Sequence, residues 1–202
     1  MVGITLRTPR DEPSLPAGSM AIEYEGAIVF PLAENLLEIW KVVERQDAVT
    51  TIILNLNSKG GLISHGEKVI SLLSAIRQSP KTLITLVENG HTCASMCIPI
   101  YVQGERRIAF PASSWMLHGA RKWHSNVPNV KETRRVFDHL RERDITPAFL
   151  DRFFANGYHK QPGELWLSGR ELFSQSNIIL KLLPNWQSMQ PQSVPFWQPL
   201  KI

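Results

Sequence analysis

The sequence predicts an α/β fold in which helices pack on a parallel sheet. Two apolar segments, residues 51–56 and 81–87, are rich in β-branched and aliphatic side chains, as buried strands are. Between them, apolar residues recur at helical spacing from about residue 64 to 78, which indicates an amphipathic helix. Because strands alternate with helices along the chain, a parallel sheet is the expected arrangement.

The composition is typical of a globular protein of one domain. The chain has 202 residues, of which 43% are hydrophobic and 20% are charged. The net charge of +4 is small and the basic residues are scattered, so nucleic-acid binding is not expected. No apolar run reaches the length of a transmembrane helix. The N-terminus lacks the apolar core of a signal peptide, which predicts a cytoplasmic location, or a periplasmic one if an export signal was removed.

The first elements follow from turn residues and apolar spacing. Residues 1–20 contain several prolines and predict a mobile arm that precedes a domain over residues 21–183. Residues 21–30 predict a strand or hairpin that bends at Gly26, and residues 33–45 predict an amphipathic helix. The polar glycine turn at 57–61 follows a strand and therefore belongs at the carboxyl edge of the sheet, where ligands bind.

The stretch from His91 to Cys97 predicts a sharp turn between a strand and a helix. A helix that starts near Ser95 places Pro99 in its first turn, where proline is tolerated, and the Ser95 hydroxyl in the positive field of the helix N-terminus. His91, Cys93 and Cys97 could also be metal ligands, but the sequence offers no second ligand group. Small buried residues that flank a turn are the preferred interpretation of the cysteines.

The second half of the chain predicts further strands and helices before an extended tail. They are strands at 107–110 and 114–117, helices at 130–144 and 148–154, and a strand and helix around 166–172. Pro147 takes the first position of its helix, and Ser168 with Glu171 forms a capping-box pattern for the last one. Residues 184–202 contain Pro, Gln and Trp without periodicity and predict the tail.

Three features at the predicted carboxyl edge suit acyl transfer. Ser95 offers a hydroxyl, and His118 ends a strand whose carboxyl end lies at the same edge. Gly60 and Gly61 offer backbone N–H groups without side chains in the way, as an oxyanion hole requires. A nucleophile, a base and preorganised donors are what acyl transfer from an amide needs. The alternative is an ordinary glycine turn and a hydrogen-bonded core histidine.

Four short motifs, taken in order, resemble those of one protein family. They are Asn57-Ser58-Lys59-Gly60-Gly61, Ala94-Ser95-Met96, Gly104-x-Arg106-Arg107 through Pro111-x-Ser113, and Met116-Leu117-His118. The family is the Clp protease proteolytic subunit, ClpP, and the resemblance spans about residues 22–180. It implies a crotonase-like α/β spiral of ββα units, which forms a single domain with a helical, handle-like segment.

The resemblance also implies a serine-type endopeptidase. On the family pattern Ser95 is the nucleophile and His118 is the general base. The N–H groups of the Gly60-Gly61 turn and of Met96 form the oxyanion hole, and no cofactor or metal is implied. The implied partners are a peptide or unfolded protein substrate, further copies in a homo-oligomer and, where one exists, an ATP-dependent unfoldase.

Some positions depart from the family pattern. Glu164 stands where the family has its catalytic aspartate, and a glutamate orients the histidine in some hydrolases. Asp144 and Asp151 are the other candidates, and a solvated surface carboxylate is the alternative interpretation of Glu164. Lys59 stands where the family usually has a proline. We interpret it first as a surface lysine; the alternatives are a contact for an acidic substrate group and a base in a Ser-Lys pair.

Two other functions are compatible with the fold. A non-catalytic or regulatory ClpP-like subunit would explain the altered acid, although Ser95 and His118 together argue against it. A crotonase-type acyl-CoA enzyme would use the same oxyanion geometry without a serine nucleophile. Because such an enzyme would not need the pair of Ser95 and His118, their presence argues against this function.

Overall fold

The structure, a computed structural model, describes residues 3–122, 127–160, 163–185 and 188. The helices of this part are α1 Leu32–Val43, α2 Ile63–Arg77, α3 Cys97–Tyr101, α4 Val130–Arg141, α5 Pro147–Ala155 and α6 Gly169–Gln175. Its strands are β1 Gly3–Arg7, β2 Ser19–Glu25, β3 Thr51–Asn57, β4 Thr82–Val87, β5 Thr92–Ala94, β6 Arg106–Ala109, β7 Ser114–His118, β8 Glu164–Ser168 and β9 Lys181–Leu182. Within these described residues, no helix is both long and apolar enough to cross a bilayer.

The central sheet has six strands in the order β1-β2-β3-β4-β6-β9. All neighbours are parallel except β1 and β2, which confirms the parallel sheet that the sequence predicts. The strands β3 and β4 are buried along nearly their whole length, because the sheet is covered on both faces. The apolar faces of α1 and α2 pack on one face and form the main core with it.

The second sheet has three strands in the order β5-β7-β8 and positions the candidate site. Strand β5 runs parallel to β7, with Ala94 opposite Met116, and β8 runs antiparallel to β7, with Glu164 opposite His118. Because β5 ends at Ala94, the next residue, Ser95, lies at the end of β7 that carries His118. Three segments that are far apart in sequence thus meet at one edge.

The N-terminal segment differs from the predicted mobile arm. Residues 3–7 form β1 and pair antiparallel with β2, where Ile4 lies opposite Tyr24. The prolines that indicated an arm all follow Arg7, and pairing with β1 satisfies backbone groups of β2 that an edge strand would leave unpaired. The hairpin proposed around Gly26 does not form. Strand β2 ends at Glu25, and Ile28 instead bridges to Gly61 in a parallel pairing.

Helix boundaries shift where the backbone leaves helical geometry. Ser95 has φ 54, so α3 begins at Cys97 rather than near Ser95, and Pro99 still lies in its first turn. Helix α4 ends at Arg141, before Asp144, whose φ of 55 is incompatible with the predicted continuation to residue 144. Pro147 opens α5 as predicted. Most of the tail predicted at 184–202 lies outside the described residues.

Candidate active site

Ser95 lies in the tight connection between β5 and α3, in a left-handed conformation that is uncommon for a residue with a side chain. Its backbone is held on both sides: the N–H donates to the carbonyl of Met116 at 2.8 Å, and the carbonyl accepts from the N–H of Ile98 at 3.1 Å. The side chain is therefore presented at the edge of the second sheet. Its Oγ is 2.6 Å from Nε2 of His118.

His118 is the last residue of β7 and is partly buried. Burial lowers the pKa of its imidazole, the nearby cation Arg121 lowers it further, and Glu164 acts in the opposite direction. A lowered pKa keeps the imidazole neutral around neutral pH. Nε2 can then accept the proton of the Ser95 hydroxyl, as a general base must.

The backbone pairing around Gly61 leaves one N–H group free to bind an anion. The N–H of Ile28 donates to the carbonyl of Gly60, and the N–H of Leu62 donates to the carbonyl of Ile28, both at 2.9 Å. In such a parallel bridge the central residue, Gly61, directs its own N–H away from the partner strand. Among the described residues, neither this N–H nor that of Met96 has an acceptor. Both can therefore serve as oxyanion donors.

Gly60 contributes space rather than a hydrogen bond. Its N–H already donates to Oγ of Ser58 at 3.1 Å. It adopts φ 91, and a Cβ atom there would lie 2.7 Å from both the carbonyl oxygen of Ala94 and Cβ of Ser95, and 3.1 Å from the nitrogen of Met96. Gly60 thus lets the glycine turn pack directly on the serine turn, which brings the two predicted motifs together.

Ser95 and His118 lie between two depressions of different character. The wider is an open cleft of about 510 Å³, lined by Val29, Gly61, Leu62, Ile63, Ser64, Ser95, His118, Ala120, Arg121 and Glu132. The narrower is a pocket of about 40 Å³ with mostly apolar walls, which include Ile63, Ile98, Pro99, Leu117, Val136, Phe137 and Leu140. A peptide bound in the cleft could place one apolar side chain in this pocket.

Glu164 lies opposite His118 in the β7–β8 pair, but its carboxylate turns elsewhere. One oxygen is 3.4 Å from the guanidinium of Arg121, and the other accepts from Nε1 of Trp166 at 3.1 Å. The buried Nδ1 of His118 has no hydrogen-bond partner among the residues that the structure describes. The geometry therefore brings Ser95 and His118 together as a dyad and does not place Glu164 in the orienting position.

The other candidate residues do not fill that position either. Asp144 lies in the turn after α4, and Asp151 is exposed on α5; within the described ranges neither accepts a hydrogen bond from His118. Lys59 is exposed beside the glycine turn, and the partner of Ser95 Oγ is His118 rather than this lysine.

Cys93 and Cys97 form a disulfide that the sequence reasoning missed. Both residues are fully buried, as predicted for residues that flank a turn. Because each sulfur is bonded to the other, neither is a thiolate, so the cluster with His91 is not a set of metal ligands. The four-residue spacing across a sharp turn was the available signal, since such a turn brings the two Cβ atoms close.

Comparisons with known proteins agree with this architecture. A sequence model described as Clp protease matches residues 18–147. Among solved structures, the chain is similar to a ClpP1 mutant from Listeria monocytogenes, with a TM-score of 0.55 and 17% sequence identity, over 86% of this chain and 93% of that one. This likeness shows the shared fold. No curated protein matches the sequence.

Proposed function

Because the chain belongs to the Clp protease family, we propose that it is a serine endopeptidase that hydrolyses peptide bonds through an acyl-enzyme on Ser95. The observation that carries this proposal is the 2.6 Å contact between Oγ of Ser95 and Nε2 of His118. Acyl transfer requires a serine hydrogen-bonded to a neutral histidine and, beside it, N–H groups that can bind an oxyanion, here those of Gly61 and Met96.

Three groups carry the proposed reaction, and His118 acts in each of its steps. Oγ of Ser95 attacks the carbonyl carbon of the scissile peptide while its proton passes to Nε2 of His118. The N–H groups of Gly61 and Met96 bind the oxyanion of the tetrahedral intermediate. The C–N bond then breaks, and His118 donates the proton to the leaving amine. Water, deprotonated by the same imidazole, hydrolyses the ester and regenerates the serine.

The cleft suggests an extended peptide or an unfolded protein as the substrate. The narrow pocket beside Ser95 has mostly apolar walls, so we expect an apolar side chain next to the scissile bond. The family also suggests assembly into a homo-oligomer, and an ATP-dependent unfoldase belongs to the same proposal. Sedimentation velocity tests the assembly, and a stable monomer at micromolar concentration would contradict it.

A fluorophosphonate probe tests the nucleophile directly. We expect one adduct per chain, located on Ser95 by peptide mass mapping, with labelling abolished in Ser95→Ala and slowed by orders of magnitude in His118→Ala. Ser64 is the matched control, because its side chain lies in the same cleft. The Ser64→Ala variant should be labelled at the wild-type rate.

A non-catalytic subunit of the same fold is the second candidate. It is favoured by one observation, the lack of an acceptor for Nδ1 of His118 among the described residues. The labelling experiment separates the two functions. A folded sample in which Ser95 stays unmodified would exclude the peptidase and favour the non-catalytic subunit.

A further inference from the structure

A disulfide encloses the proposed nucleophile. It joins Cys93 in β5 to Cys97, the first residue of α3, and their Cα atoms are 5.2 Å apart. The closed ring contains Ala94, Ser95 and Met96, that is, the proposed nucleophile and one of the two proposed oxyanion donors. Both cysteines are fully buried.

The β5 side of this ring is anchored by backbone hydrogen bonds at both edges. On one edge, the N–H of Ser58 donates to the carbonyl of Thr92 at 2.7 Å, and the N–H of Ala94 donates to the carbonyl of Ser58 at 2.9 Å. On the other edge, β5 pairs with β7, where Cys93 lies opposite Trp115. Cys93 therefore has a well-determined position.

The α3 side is not paired to a strand, and its support from backbone hydrogen bonds comes mainly from the contact of the Ile98 N–H with the Ser95 carbonyl and from the short helix itself. The helix has only five residues, so few hydrogen bonds within it hold it in place. Ser95, two residues before the helix, has φ 54, a conformation that is unfavourable for a residue with Cβ. A turn of this kind persists only where its surroundings hold it, and the disulfide is the covalent link between the anchored strand and the short helix.

We propose that the Cys93–Cys97 disulfide positions the nucleophile turn and that the proposed peptidase activity depends on this bond. The cysteines act through Ser95 and Met96 and are positioning residues. The inference rests on the proposed function. Reduction by a dithiol transfers two electrons and two protons to the sulfurs, which become two thiols, while the reductant becomes a cyclic disulfide. Unbonded sulfurs require more space than bonded ones, so the start of α3 moves away from β5.

This dependence also bears on where the protein works. Disulfides persist in oxidising compartments and are rare in the cytosol. An enzyme whose nucleophile turn requires the bond is therefore suited to an oxidising compartment such as the periplasm.

The rate of fluorophosphonate labelling at Ser95 tests the proposal. It is measured for the oxidised protein, for the protein after complete reduction, and for Cys93→Ala, Cys97→Ala and the double variant. We expect each form without the bond to be labelled about 100-fold more slowly, because displacement of a reacting group by about 1 Å costs about this much and loss of one oxyanion donor costs about 100- to 1,000-fold. Reoxidation should restore the rate, and circular dichroism monitors the fold.

The two single variants and the double variant distinguish positioning from packing. Either single substitution removes the whole disulfide, so the double variant should be no slower than the singles, and added reductant should change none of them. Additive losses would instead indicate lost side-chain packing and overturn the proposal. Equal labelling of oxidised and reduced wild-type protein would overturn it while leaving the peptidase intact. If the variants do not fold, this wild-type comparison decides. An oxidised protein that is not labelled would reject both.

Discussion

Gly60→Ala is the substitution that most directly tests whether the packing of the glycine turn on the turn that carries Ser95 positions this serine. The residue has φ 91, and an added Cβ would lie 2.7 Å from Cβ of Ser95 and 3.1 Å from the nitrogen of Met96. Contacts below 3.0 Å force some atom to move, and here the neighbours are backbone atoms and a Cβ rather than a flexible side-chain end. The turn that carries Ser95, the proposed nucleophile, must therefore shift.

The cost has two parts that the structure separates. Left-handed backbone costs a residue with Cβ about 1–2 kcal/mol, and overpacking of a tight contact costs about 1–3 kcal/mol. Gly60→Ala should therefore lower the free energy of unfolding by about 2–5 kcal/mol. Opening the contact displaces Ser95 and Met96 by several tenths of an ångström, which should slow Ser95 labelling at least about tenfold.

Gly90→Ala is the matched control. Gly90 also has a positive φ, 77, but an added Cβ would meet no atom within 4 Å. It should carry the backbone cost alone, about 1–2 kcal/mol, and label at the wild-type rate. Urea unfolding and labelling kinetics measure both variants. If folded Gly60→Ala reacts as fast as Gly90→Ala, the close packing of the two turns does not matter for the nucleophile.

Further predictions concern charge and capping. Because burial and Arg121 lower the pKa of His118, the labelling rate should rise with pH, with a midpoint below the ordinary histidine range. Arg121→Gln should move this midpoint to higher pH, and an unchanged midpoint would contradict the prediction. Glu164→Gln should move the midpoint to lower pH and change the labelling rate at high pH by less than about tenfold, whereas the loss of an acid that orients the histidine lowers the rate about 10⁴-fold. Asn129→Ala, which removes the cap on the N–H of Glu132, should cost about 1 kcal/mol in urea unfolding without slowing labelling.

Apolar periodicity and chain order predicted most of the fold. The buried strands β3 and β4 and the helix between them are local patterns, so they could be located to within one or two residues. Strand β1 could not, because its stability comes from pairing with β2, a contact that leaves no local signal except weak alternation. The two-residue strand β9 could not be predicted either, because it forms only by pairing with the edge of β6.

The candidate site divides in the same way. That Ser95, His118 and Gly61 lie together could be predicted because they lie at or after the ends of strands whose carboxyl ends share an edge, and the motif resemblance pointed to the same residues. The direction of the Glu164 carboxylate could not be predicted, because Arg121, which pairs with one of its oxygens, lies beside it only after β7 and β8 pair. The other oxygen accepts from Trp166, two residues further along β8. The role of Gly60 as space rather than as a donor also needed the tertiary packing.

The sequence by itself determined the parallel α/β architecture, the serine and histidine pair and the glycine turn, because these depend on local composition and on the order of strands along the chain. The tertiary structure decided three further features: the 2.6 Å contact between Ser95 and His118, the carboxylate of Glu164 that contacts Arg121 instead of the histidine, and the disulfide around Ser95. The first two depend on contacts of 2.6 and 3.4 Å between segments that only packing brings together, and residue spacing does not determine contacts at that scale. The disulfide joins residues only four apart, but it forms only where the turn brings the two sulfurs together.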